Sequence, residues 1–136
     1  MEIKFPFERR SSTIFGNVSR PVALVDFRSV NDQVVWTTVR MIVDTGADYT
    51  LLPRSYARAI GVNLERDCKS FETLGIGGKE VVFVHPAIRA RLGEWEAEVP
   101  VGFLDRDTVP ALLGRQKFLE ALSVLFEDHT ITFRTK

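Results

Sequence analysis

Apolar residues in this chain come in short runs bounded by turn-forming ones. Positions 21–30 and 33–43 are rich in Val, Phe, Trp and Thr and are separated by Asn31-Asp32, which predicts two strands joined by a hairpin turn. Leu51-Leu52-Pro53 leads into a helix over 54–60, and Gly61 stands where a C-terminal cap belongs. Further strands are expected over 69–74, 80–84, 87–92 and 96–103, with glycine-bearing turns between them. Positions 114–121 place leucine, phenylalanine and alanine at helical spacing, and 123–134 read as a final hairpin turning at Glu127-Asp128. So many short strands predict a mainly β protein with a short C-terminal helix. Residues 1–12 are read as an unstructured, flexible N-terminal extension, 104–110 as an unstructured loop, and 13–136 as one domain.

Composition narrows the class. A chain of 136 residues fits one core, and 45% hydrophobic with 26% charged residues is ordinary for a globular protein. Lys and Arg number 18, as do Asp and Glu, so no net field draws the chain to nucleic acid or to anionic lipid, and neither is expected as a partner. The lone Cys68 excludes an intramolecular disulfide, and His85 and His129 form no Cys/His set at metal-ligand spacing. No metal is expected. The first ten residues lack the apolar run of a signal peptide, and a cytoplasmic location is expected.

The chemistry is concentrated in Met41-Ile-Val-Asp44-Thr45-Gly46-Ala47-Asp48, an apolar strand ending in a carboxylate, a hydroxyl and a glycine. A carboxylate just past such a strand lies near the interior, where its ionisation is costly unless neighbouring donors support it. Gly46 frees the backbone for a tight turn, and Thr45 brings a hydroxyl and an N–H beside the acid. Taken alone, this tripeptide also fits a turn or a helix N-cap. A nucleotide-phosphate loop of the actin or sugar-kinase sort begins similarly but belongs to much longer chains. A phosphoaspartyl enzyme would want a second aspartate at position 46.

Two later pieces change the balance. Leu74-Gly75-Ile76-Gly77-Gly78-Lys79 lies between strand-like segments, and its glycines suit a covering hairpin tip. Ala111-Leu112-Leu113-Gly114-Arg115 is an apolar strand end running into a helix start. In this order the three pieces resemble the retropepsin family of retroviral-type aspartic proteases and their cellular relatives, from about Val34 to the C-terminus. The resemblance implies a closed retropepsin-like β-barrel domain with one short C-terminal helix, one lobe per chain.

It also implies an aspartic endopeptidase acting on a peptide or protein substrate, with Asp44, Thr45 and Gly46 catalytic and no cofactor. Ala47, Asp48, Gly75, Ile76, Gly77 and Gly78 would bind substrate, the glycine-rich segment serving as a flap. Gly114 and Arg115 would support the site, Arg115 through a buried bidentate pair with Asp48. Peptide hydrolysis without metal needs one group to take a proton from water and another to give one to the carbonyl oxygen. Two carboxylates sharing a proton do both, and a single Asp-Thr-Gly per chain then requires a homodimer with one Asp44 from each copy. The other class of reading is a non-catalytic module of the same fold that dimerises or holds extended peptides. A retained aspartate would distinguish neither, which leaves the decision to an assay.

Overall fold

The computed structural model describes residues 1–75 and 78–136, and 59% of the chain is strand. In chain order the elements are β1 (Glu2–Pro6), β2 (Glu8–Ser12), β3 (Gly16–Arg20), β4 (Val22–Arg28), β5 (Trp36–Val43) and β6 (Thr50–Pro53). Two short helices follow, α1 (Tyr56–Ile60) and α2 (Leu64–Asp67), and then β7 (Lys69–Gly75), β8 (Gly78–Leu92), β9 (Trp95–Leu104) and β10 (Leu112–Leu113). A 3-10 turn at Leu119–Ala121 precedes β11 (Leu122–Glu127) and β12 (Thr130–Thr135).

The principal sheet has the order β4-β5-β10-β6-β9-β8-β7, and β4 also pairs with β8 through Asp26↔Arg91 and Phe27↔Ala90. That second pairing is reinforced by side chains. Arg91 donates to the Asp26 carboxylate at 2.9 Å and lies 4.0 Å from the centroid of the Trp36 ring, so one guanidinium serves an ion pair and a cation–π contact.

Strands β4 and β5 show why the sequence folds this way. Ala23, Val25 and Phe27 are wholly buried while, between them, Leu24 is exposed and Asp26 half-buried, and Val39 and Met41 alternate likewise with the exposed Arg40. The register Val25↔Val39 sets the two apolar rows on one face, and a slip by one residue would turn both rows to water. Phe27, Met41, Leu52, Phe103, Phe118 and Phe133 are the largest side chains of the resulting core. Fully burying one such side chain stabilises by about 1.5–3 kcal/mol.

Several expectations are corrected. The connection between β4 and β5 is the seven-residue stretch 29–35 rather than a tight turn at Asn31-Asp32. Its backbone is satisfied locally: Ser29 N–H donates to the Val35 carbonyl at 2.8 Å, and Gln33 N–H to the Asn31 side chain at 3.1 Å. The helix expected over 114–121 is a turn ending in the 3-10 segment Leu119–Ala121, because Lys117 takes a positive φ of 57° that interrupts helical geometry. The final hairpin turns at Asp128-His129, both with positive φ, one residue later than expected. Residues 80–92, read as two strands, belong to the one strand β8, broken by an irregularity between His85 and Ile88. Gly61 caps α1 with φ 76° as anticipated, and α2, capped by the Asn63 side chain, was not anticipated.

Residues 1–12, expected as an extension, lie in strands: β1 pairs with β12 from Glu2↔Arg134 to Pro6↔Thr130, and β2 pairs with β3. No helix of the described residues is long and apolar enough to cross a membrane.

Candidate active site

Asp44 follows the last residue of β5, and three backbone bonds fix where it emerges. Val43 N–H donates to the Pro21 carbonyl at 2.9 Å, Ile42 N–H to Ala111 at 2.9 Å, and Asp44 N–H to Leu113 at 3.0 Å. The two-residue strand β10 is thus wedged beside β5, parallel to it, and antiparallel to β6 at Leu112↔Leu51. Apolar strands on either side deliver the acid to the end of the sheet, where it is half-buried.

Beyond it the chain reverses sharply. Gly46 N–H donates to Asp44 Oδ1 at 2.9 Å, and Ala47 N–H donates to the Asp44 carbonyl at 3.1 Å. The turn therefore supplies a hydrogen bond to the carboxylate itself. A Cβ at position 46 would sit 3.1 Å from that same oxygen, tight against the acid.

The Gly114-Arg115 turn grips the far side of this loop. Arg115 N–H donates to the Ala47 carbonyl at 3.0 Å and Gln116 N–H to the Asp48 carbonyl at 2.8 Å. The Arg115 side chain donates from Nη1 to the Thr45 carbonyl at 2.7 Å and from Nη2 to Asp48 Oδ1 at 2.8 Å, with Glu120 at 3.6 Å. The pair with Asp48 is neither buried nor bidentate as expected, since Asp48 is 81% exposed and accepts one bond from Arg115. The reason is that Arg115 divides its donors between a carbonyl and a carboxylate of the same loop. Gly114 is required by close approach: a Cβ there would lie 2.2 Å from the Tyr49 carbonyl carbon and oxygen. Its N–H donates to the buried Thr50 hydroxyl oxygen at 3.3 Å.

A cleft of about 360 Å³ opens beside the loop. Gly46, Asp48 and Tyr49 form one side of it, and Thr73, Leu74 and Glu80 of the β7–β8 hairpin the other. Leu51, Val82, Leu104, Val109, Pro110 and Leu112 make it largely apolar. Tyr49 is partly buried in this wall, and burial, followed by the neighbouring Asp48 carboxylate, pushes its phenol above the ordinary range. Behind the wall, β9 carries Gly102, where a Cβ would lie 2.7 Å from the Tyr49 ring and 2.8 Å from Leu51 and from Val82. A residue without a side chain lets these three pack together.

The expected site residues fall into two groups. Asp44, Thr45, Gly46, Ala47, Asp48, Gly114 and Arg115 are brought together by the bonds above. Gly75 at the end of β7 pairs with Gly78 at the start of β8, while Ile76 and Gly77 lie outside the described residues. Sequence reasoning missed the cleft walls Tyr49, Leu51, Val82 and Leu104. The signal available was the alternation in β6 and β8, which marks a face but not what that face encloses. Among the described residues no group of His, Cys, Asp and Glu is placed to hold a metal ion. The arrangement offers one hydrogen-bonded carboxylate in the loop whose Gly46 and Asp48 line an apolar cleft. Such a group can take or give a proton beside an extended chain.

The sequence profile of a family described as "Aspartyl protease" matches residues 26–116. No curated protein matches the chain. Among solved structures, the chain is similar to the crystal structure of a retropepsin-like aspartic protease from Rickettsia conorii, with a TM-score of 0.66 and 16% identity over 97% of this chain and 98% of that one. At that identity the likeness is one of fold.

Proposed function

The chain belongs to the aspartyl protease family and carries a retropepsin-like fold, and from that premise we propose that it is an aspartic endopeptidase working as a homodimer. The observation that carries the reading is the Asp44 carboxylate, held by Gly46 N–H at 2.9 Å just past the end of β5, in the loop whose Gly46 and Asp48 line the cleft.

One chain supplies one such carboxylate, and the chemistry needs two. A two-fold axis passing beside the Asp44 loop brings both copies together, and like charges held close leave one proton shared between them. The ionised Asp44 takes a proton from water as its oxygen attacks the peptide carbonyl carbon, and the protonated Asp44 gives its proton to the carbonyl oxygen. Collapse of the resulting gem-diol breaks the C–N bond, and the leaving nitrogen takes back a proton from the pair. No cofactor enters.

Thr45 at the exposed apex of the loop braces one loop against the other, and Gly46, Ala47 and Asp48 face the substrate backbone. The hairpin carrying Gly75 to Gly78 acts as the flap over it. Strand-like pairing gives grip on an extended peptide with little demand on its sequence, and the apolar cleft walls receive its side chains.

The test is Asp44→Asn assayed against an unfolded protein and a peptide library. The expected result is loss of cleavage with the thermal melt and the oligomeric state unchanged. Undiminished turnover in that variant would remove the reading.

A further inference from the structure

Strands β2 and β3 form a two-stranded sheet that pairs with itself and stands off the rest of the molecule. Its side-chain tie to the body is at the root, where Arg40 donates to Glu8 at 2.8 Å. Five-residue strands reach about 17 Å at roughly 3.4 Å per residue, and a lone hairpin of this kind is at best marginally stable in water.

Its tip is nonetheless built with care. Ile14 and Phe15 N–H donate to the Ser12 hydroxyl oxygen at 3.2 and 3.1 Å, and Gly16 closes the loop with φ 77°. This turn holds Ile14 80% and Phe15 75% exposed, two large apolar side chains at the far end of a projecting arm. Such a display implies a surface that covers it.

Two observations point to a second copy of the chain as that surface. The arm's root adjoins the Asp44 loop, since Arg20 ends β3 and the next residue, Pro21, accepts the Val43 N–H at 2.9 Å. Any axis that unites two Asp44 residues therefore runs close to both roots. Beside the root, Phe5, Pro6, Val22 and Leu24 line an apolar groove of about 270 Å³ edged by Glu8 and Arg40, with Leu24 50% exposed. An extended arm holds its own tip about 17 Å from its root, which leaves the groove beside that root to the tip of another copy.

We propose that in the dimer each β2–β3 arm crosses to the other copy and seats Ile14 and Phe15 in that copy's groove against Val22 and Leu24. The contact is isologous, made twice around the axis. It rests on the homodimeric reading of Asp44 and assigns the surface that assembles it. Terminal strand β1 is already paired with β12 of its own chain, so the arm takes up the exchange.

The experiment compares the full-length chain with Ile14→Ser/Phe15→Ser and with Leu24→Asp, measuring sedimentation and peptide cleavage across protein concentration. Both variants should keep the wild-type melt and raise the dimer dissociation constant by on the order of tenfold or more, with wild-type turnover restored at saturating protein. In a Cys68→Ser background, Phe15→Cys with Leu24→Cys should form an interchain disulfide. A wild-type chain that dimerises and cleaves, with variants that assemble at the same concentration, overturns the arm exchange alone. Wild-type chain that stays monomeric at all concentrations overturns the dimeric reading itself. Because Arg9 and Arg10 are exposed on the arm, phosphatidylserine vesicles are included; lipid binding lost in the variants with assembly unchanged would also overturn the exchange.

Discussion

Arg115 reaches from the turn after β10 to the carbonyl oxygen of Thr45, donating from Nη1 at 2.7 Å to the residue directly after Asp44. The same guanidinium donates to Asp48 at 2.8 Å, so one side chain spans the loop that carries the acid. Exposed ion pairs contribute little, about 0–1 kcal/mol, whereas a charge-assisted bond to a backbone carbonyl contributes roughly 1.5–3 kcal/mol.

It follows that Arg115→Ala will destabilise more than Asp48→Asn, by about 1–2 kcal/mol in urea denaturation. Arg115→Lys will recover little, since an ammonium lacks the planar fork that spans both acceptors. Equal losses for the alanine and asparagine variants would show that the Asp48 pair, not the Thr45 carbonyl, holds the loop.

Gly114→Ala places a methyl group 2.2 Å from the Tyr49 carbonyl, against backbone that cannot turn aside. The expected cost is about 3 kcal/mol or more, at the upper end for overpacking. Thr50→Val removes the acceptor for Gly114 N–H and should cost less, about 1–3 kcal/mol. Denaturant midpoints for the two variants order these costs, and the reverse order would refute the steric account.

At Gly102 the obstructing atoms are side-chain ends, Tyr49 Cε2, Leu51 Cδ2 and Val82 Cγ1. Gly102→Ala should therefore fold, at a loss of about 1–3 kcal/mol, and Val82→Ala in the same chain should recover part of it. Because all three displaced residues line the cleft, the cleavage profile against a peptide library should shift as well. A thermal-melt double-mutant cycle showing strict additivity would sink this coupling.

His85 carries a pH dependence. Its Nδ1 accepts the Ala87 N–H at 3.1 Å, and burial holds its pKa below the ordinary 6.5, partly offset by the Asp67 carboxylate. A folded-state value below the unfolded one means that the folded chain favours neutral imidazole. The resulting stability is complete above the unfolded pKa and is lost as pH falls through it toward the folded value. The urea midpoint should fall between pH 7 and pH 5, and His85→Gln should flatten that slope. Asp67, itself held low by Arg66, titrates below this window.

Much of the site was legible because its pieces are local. The Asp44 turn is made by bonds between residues 44, 46 and 47, and Gly61 caps a helix that ends one residue earlier. Residue type and spacing suffice where partners lie within a few positions. The expected helix over 114–121 failed for the opposite reason: its apolar spacing is helical, yet with Arg115 and Gln116 N–H bound to the Ala47 and Asp48 carbonyls the chain turns at Lys117 with a positive φ that helical geometry does not admit. The buried bidentate pair failed likewise, since the alternative acceptor at Thr45 exists only once the loop has turned.

By itself, then, the order of apolar runs, acids and glycines determined a mainly β chain with an acid at a strand end and a glycine-rich hairpin downstream. Tertiary structure alone decided that β10 lies between β5 and β6, that Gly102 sits beneath Tyr49, and that Ile14 and Phe15 stand free at the end of an arm. Those are contacts between segments tens of residues apart, set by how strands stack and what space is left, and no short stretch of sequence contains them.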